Sequence, residues 1–252
     1  MTVLACTDVE LRAGHRVLVR GLSFAVQPGE RWAVLGPNGA GKSTLLAVLA
    51  GVRPPASGSV TLGARLLSDW PVQQLAEQRA LVTDRWVDPF AASVLDTVLT
   101  ARYRFDGRDA EGVTVGRESL ALMDCAHLLD ADVRWLSRGE RQRVAVATAL
   151  AQATPLVLLD EPIAHQDPRH QVLVLERLAQ LDGRSLIASL HDLSAGARFA
   201  THALLLDGRG GWRAGPVAQT MTAENLTQLF DTPIAALPLA GRPHYVALPP
   251  PL

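Results

Sequence analysis

Gly36, Pro37, Asn38, Gly39, Ala40, Gly41, Lys42, Ser43 and Thr44 form a run of the pattern G-x-x-x-x-G-K-[ST]. That spacing suits a phosphate-binding loop. The three glycines let the backbone approach an anion, and the loop amides and the start of a following helix point N–H groups at its oxygens. Lys42 is placed for β- and γ-phosphates, and the Ser43 hydroxyl for Mg²⁺. Asp160 and Glu161 end a second apolar run, residues 156–159. Asp160 can hold Mg²⁺ directly or through its water, and Glu161 can polarise a water for attack on a γ-phosphate. A third stretch, Leu136, Ser137, Arg138, Gly139 and Glu140, opens a basic helix with a capping box between Ser137 and Glu140. It reads either as a well-capped solvated helix or as a second anion cradle. His191 follows the apolar run 185–190, as a hydrogen-bonded strand-end histidine or as a further contact to phosphate.

The elements that must position these residues alternate between strand and helix. Residues 17–26 have strand spacing, and Gln27, Pro28, Gly29 and Glu30 form a turn. Residues 32–35 are a short apolar strand, as expected when both faces are covered. Residues 45–50 read as a helix stopped by Gly51. A strand over 59–62, a proline-started helix over 71–78 and a strand over 79–83, ending at Asp84, follow. Residues 85–153 change texture. Helices are expected from Ser93 to about 103, over 114–123 and over 138–153. The alternation resumes with a strand at 156–159, a helix at 168–181, strands at 185–190 and 203–206, and a helix at 222–230 capped by Thr222. The proline-rich tail from 233 gives no pattern. In an open parallel sheet, ligands sit beyond the carboxyl ends of the strands. Gly36, Asp84, Asp160, Glu161 and His191 all fall there, which argues for one nucleotide site.

A chain of 252 residues, 48% apolar and 19% charged, can bury a large core in one or two domains. Its net charge of −1 offers no electrostatic case for nucleic acid or anionic lipid. Cys6 and Cys125 lack metal-ligand spacing and read as small core residues in a reducing compartment. The first residues lack the pattern of a secretion signal. The uncharged run 144–159 contains Gln152, Thr154 and Pro155 and is no membrane span. Work at a membrane would need docking through other chains. Trp70, Trp86, Trp135 and Trp212 are expected to pack, and His165 and His170 to lie at the surface.

The motifs together resemble those of ATP-binding cassette (ABC) ATPases. GPNGAGKST is similar to their Walker A motif, LSRGERQR to their signature and PLVLLDEP to their Walker B. Ala164, His165, Gln166 and Asp167 resemble their D-loop, and His191 in SLHD their switch histidine. Order and spacing agree over about residues 3–230. The resemblance implies an α/β fold: a P-loop NTPase core (1–84 and 154–232) with an N-terminal antiparallel β subdomain, an inserted α-helical signature subdomain (85–153) and a tail (233–252). It also implies roles. Lys42 and the loop amides bind the phosphates of ATP. Ser43, Asp160 and Asp84 serve Mg²⁺, Glu161 is the catalytic base and His191 holds the γ-phosphate. Ser137, Arg138, Gly139 and Glu140 contact the ATP of a second copy, and Asp167 lies at the interface of that homodimer.

The chain departs from the family pattern at three places. Asp84 stands where glutamine is usual, at the residue that reaches Mg²⁺ and links the site to the membrane subunit. Ala13 stands where an adenine-stacking aromatic is expected, leaving Arg12 or His15 to cover the base. Arg138 replaces a signature glycine. With one cassette, the chain resembles ATPase subunits that power import of iron–siderophore, haem or cobalamin. The implied partners are transmembrane permease subunits and a periplasmic or surface substrate-binding protein. The implied place is peripheral, on the cytoplasmic face of the plasma membrane. An exporter cassette and a soluble ATP-dependent switch are the alternatives. A hydrophobic docking groove at 84–90, supplied by Trp86, Val87, Pro89 and Phe90, weighs against the second.

Overall fold

The computed structural model describes residues 2–83, 91–105, 110–239 and 241–249, with side chains left aside at 104 and 105. Strands β1 (Leu4–Ala13), β2 (Arg16–Val26), β4 (Ser57–Leu62) and β5 (Arg65–Leu66) make an antiparallel sheet in the order β2-β1-β4-β5. Strands β3 (Arg31–Leu35), β6 (Arg79–Val82), β7 (Leu156–Asp160), β8 (Ser185–Ser189), β9 (His202–Leu206) and β10 (Trp212–Pro216) make the second, ordered β10-β9-β3-β8-β7-β6. Its pairs are parallel except β9 with β10.

The apolar runs divide cleanly between two cores. Leu156 and Leu158 of β7, with Trp32 and Val34 of β3, pack toward the antiparallel sheet and helix α1 (Lys42–Leu49). Val157 and Leu159, with Ala33 and Leu35, pack toward the helices on the opposite face. Side chains alternate along a strand, so a strand buried on both faces must be apolar throughout. Asp160 and His191 therefore stand out in sequence as breaks where such runs meet the sheet edge.

Helix α2 (Val72–Gln78) leads into β6. Among the described residues, helices alone lie between β6 and β7: α3 (Val94–Leu99), continued by a 3₁₀ turn, then α4 (Ala110–Leu122) and α5 (Arg138–Ala151), with short 3₁₀ turns. The long helix expected from Ser93 is thus shorter, although Ser93 caps it by accepting from the Asp96 N–H at 3.0 Å. Helices α6 (Pro168–Ala179), α7 (Leu193–Phe199), α8 (Val217–Thr220) and α9 (Ala223–Phe230) complete the chain's helices among the described residues. Asp167, Asp192 and Thr222 cap α6, α7 and α9 with side-chain oxygens.

Three elements carried too little local signal to be read from sequence. The register shifts along β1 break its two-residue period. Helix α7 is only two turns long, and β10 carries Gly215 and Pro216. The tail is a hairpin, β11 (Ile234–Leu239) with β12 (Arg242–Ala247). It packs on α7, where the Tyr245 N–H donates to Ser194 Oγ at 3.0 Å, and on the end of α8, where Tyr245 Oη donates to the Met221 carbonyl at 2.5 Å. Cys6 and Cys125 are buried and free, as expected, and burial pushes the Cys6 thiol up to about 12. Among the described residues no helix is long and apolar enough to cross a membrane.

Candidate functional site

Strand β3 delivers the phosphate loop from the middle of the parallel sheet, with β9 and β8 on either side. Gly36 must be glycine twice over. Its φ is +156°, and a Cβ would lie 2.2 Å from the Leu206 carbonyl oxygen. Gly41, at φ +104°, begins α1 tight against Leu18. Lys42 is only 6% exposed, and its Nζ donates to the Gly36 carbonyl at 2.8 Å and the Pro37 carbonyl at 3.4 Å. Burial pushes its pKa down, and Glu161 and then Asp160 pull it back up. Lys42 and the two carboxylates therefore share one electrostatic environment.

The carboxylates are fixed by a residue the sequence reading passed over. Ser189 at the end of β8 sits opposite Asp160 of β7 and is fully buried. Its hydroxyl donates to Asp160 Oδ1 at 2.6 Å and accepts from the Glu161 N–H at 2.9 Å. A serine ending an otherwise apolar strand beside an aspartate-ended one was the available signal. Glu161 has φ +50°, in the left-handed region. Its Oε1 meets His191 Nε2 at 2.5 Å. From the other side Gln142 of α5 donates to the Glu161 carbonyl at 3.1 Å and the Asp160 carbonyl at 3.4 Å. The strained turn is thus held by β8, α5 and the histidine together.

Ser137, Arg138, Gly139 and Glu140 lie elsewhere. Ser137 Oγ donates to Glu140 Oε2 at 2.6 Å, the Ser137 N–H donates to the same oxygen at 2.9 Å, and the Glu140 N–H returns to Ser137 Oγ at 3.3 Å. The capping box read from sequence is complete. These residues line a groove of about 490 Å³ with Gln166, Asp167 and His170, and no phosphate-loop residue lines it. A Cβ on Gly139 would lie 3.0 Å from the His165 carbonyl oxygen, so the signature and Asp167 segments are packed backbone to side. Asp167 accepts from the His170 N–H at 2.9 Å and pairs with its Nδ1 at 2.8 Å. His165 is exposed as expected; His170 is half-buried.

Ser43 is exposed one residue into α1, and Asp160 uses Oδ1 toward Ser189. A hydroxyl and one carboxylate are hard oxygen donors, and Mg²⁺ commonly takes one or two such groups with substrate phosphates and water. The donor set therefore fits Mg²⁺. Asp84, the third expected donor, and the docking loop of Trp86, Val87, Pro89 and Phe90 lie outside the described residues. Trp70 packs against the sheet-to-sheet core, with the Arg65 guanidinium 5.2 Å over its ring, and Trp212 is half-buried there too. Trp135 does not pack: it is 83% exposed, because the 3₁₀ turn Val133–Trp135 buries Val133 and turns the indole outward.

Residues 19–164 match the family model described as ABC transporter. The chain belongs to the ABC transporter family. It is an ATP-binding cassette of that family, a subunit that binds and hydrolyses ATP. The cassette is 35% identical to the hemin import ATP-binding protein of Pseudomonas aeruginosa, over 97% of this chain and 100% of that one. It is 32% identical to the ferric enterobactin transport ATP-binding protein of Escherichia coli, over 92% of this chain and 91% of the relative. A solved inward-facing metal-chelate-type ABC transporter superposes with TM-score 0.84 at 28% identity, covering 98% of both chains.

Proposed function

We propose that the cassette powers import of a metal chelate by closing head-to-tail with a second copy around two ATP molecules. The observation that carries this reading is the separation of the two anion cradles. Lys42, Glu161 and His191 lie with the phosphate loop, while Ser137 and Gly139 open a groove of their own. One γ-phosphate reaches both only if another copy brings its signature, and a reciprocal pair has two-fold symmetry.

In the closed pair Lys42 leaves the Gly36 carbonyl for the β/γ-phosphates, with the loop amides around them. Ser43 and Asp160 would hold Mg²⁺, which supplies positive charge at the β- and γ-oxygens. Water attacks the γ-phosphorus, its bond to the ADP oxygen breaks, and Glu161 takes the water's proton. His191 Nε2 exchanges Glu161 Oε1 for a γ-phosphate oxygen, which frees the base as substrate arrives. Asp167 meets the partner copy. Asp84 passes closure to the permease.

The cargo reading rests on resemblance. Two relatives carry the names of hemin and ferric enterobactin systems, which supports haem or an iron–siderophore; cobalamin, the third cargo, rests on the family resemblance alone. Permease subunits, a periplasmic or surface binding protein and a peripheral position at the cytoplasmic membrane face belong to the same reading.

The test is transport in proteoliposomes that carry this cassette with its cognate permease subunits. ATP should drive hemin inward, and Glu161→Gln should slow turnover about 10²–10⁴-fold while keeping ATP binding and trapping the dimer. Parent-rate hydrolysis by that variant would remove Glu161 as base. Outward transport would favour the exporter reading.

A further inference from the structure

In cassettes of this family a base lies against the β1–β2 turn, which in this chain carries no Phe, Tyr or Trp. The β1–β2 turn borders the phosphate loop. Arg16 Nη2 donates to the Gly208 carbonyl at 2.9 Å, and a Cβ on Gly208 would lie 2.8 Å from Ala40 Cα. Residues 12–16 around that turn are exposed, and the rings or planes they offer a base are the His15 imidazole and the Arg12 and Arg16 guanidinium groups, smaller than an indole. Arg12 is further committed, to Glu10 at 2.6 Å.

At the other cradle an indole stands free. Trp135 is 83% exposed, two residues before Ser137. An aromatic of this size normally buries most of its surface. Its backbone is nevertheless rigidly built. The Trp135 N–H donates to the Asp132 carbonyl at 3.0 Å, and Arg134 Nη2 pairs with Asp132 Oδ2 at 2.7 Å. Arg141 Nη2 of α5 donates to the Val133 carbonyl at 3.3 Å and the Arg134 carbonyl at 3.2 Å. The tryptophan is thus fixed to the same helix whose first turn carries Ser137 and Gly139.

We propose that Trp135 is the adenine platform of this cassette, supplied across the dimer to the ATP held by the other copy's phosphate loop. The inference rests on the head-to-tail reading above. Leu136 is extended (φ −68°, ψ 142°), and two extended residues span about 7 Å. With the indole added, a ring anchored beside Ser137 reaches from a γ-phosphate toward the base of the same nucleotide. The turn of one copy, which has no Phe, Tyr or Trp, and the unburied Trp135 of the other then meet in one composite site. Each copy gains a reason to keep a tryptophan in water until ATP is bound.

The test compares ATP-driven dimerisation in the Glu161→Gln background, by analytical ultracentrifugation across ATP concentrations. Trp135→Ala should raise the half-saturating ATP concentration about fivefold or more, the size of one aromatic–base stack. Trp135→Phe should stay within about twofold, because it keeps a stacking face. Binding of a fluorescent ATP analogue to dilute monomer should be the same in both variants, since the ring acts on the other copy's nucleotide. An unchanged half-point in Trp135→Ala overturns the inference, as does weakened nucleotide binding to the monomer. Ser137→Ala separates the two levels. If it blocks dimerisation and Trp135→Ala does not, only the platform assignment falls. If Ser137→Ala dimerises like the parent, the head-to-tail reading falls with it.

Discussion

Ser189→Ala removes one oxygen atom from the junction that joins Asp160 and Glu161, the residues proposed to carry hydrolysis. Ser189 is fully buried and Asp160 is 6% exposed. The hydroxyl serves the Asp160 carboxylate at 2.6 Å and the Glu161 N–H at 2.9 Å. A hydrogen bond to a charged group contributes about 1.5–3 kcal/mol. Orphaning the Glu161 N–H costs about 1 kcal/mol more at the lower end of the range for a buried donor. Together they put the loss near 3 kcal/mol. For a chain of this size that is a melting-point drop of roughly 6–12 °C. Glu161 needs its φ of +50° to aim its carboxylate, so the ATPase rate should fall as well, even at temperatures where the variant is folded. Urea denaturation and steady-state hydrolysis measure the two effects separately. The cycle with Asp160→Asn isolates the Asp160–Ser189 pair. A stability loss under about 0.5 kcal/mol together with parent-like turnover would refute the claim that Ser189 fixes the Asp160 carboxylate and the Glu161 backbone.

The grip of α5 on the same turn can be tested at Gln142. Gln142→Ala deletes the bonds to the Asp160 and Glu161 carbonyls. Hydrolysis should slow several-fold with ATP affinity of the monomer kept, and equal loss of both would mean general disruption instead. Glu140 gives a pH signature. The Ser137 hydroxyl first, then the Ser137 N–H, holds its carboxyl below its ordinary value of 4.5. A depressed carboxylate stabilises the fold above its unfolded pKa and loses that contribution as pH falls through the lower folded value. The urea midpoint of the parent should therefore drop more steeply below about pH 4.5 than that of Glu140→Gln. Parallel curves would show that the capping box carries no such linkage.

What could be read from the chain in advance was what local chemistry encodes. The phosphate loop is one continuous segment whose glycines answer to backbone conformation, and its lysine follows by spacing alone. The capping box at Ser137 and Glu140 spans four consecutive residues. The strand ends at Asp160 and His191 show because fully buried strands do not continue through an unpaired polar side chain. Family resemblance then joined these pieces into one enzyme.

The tertiary structure decided what depends on residues far apart in sequence. Ser189 matters because β8 pairs with β7 in the register that sets it against Asp160. Gln142 matters because α5 crosses behind the carboxylate turn, and no periodicity in a helix announces which carbonyl a glutamine will reach. Trp135 was expected inside and is outside, because the 3₁₀ turn Val133–Trp135 turns Val133 to the core and the indole to solvent. The proline-rich tail became a hairpin only by leaning on α7. The sequence by itself determined which groups could meet a phosphate, since that is written in short-range spacing. The fold decided which of them share one site and which line a groove of their own, since that is set by strand register and helix packing.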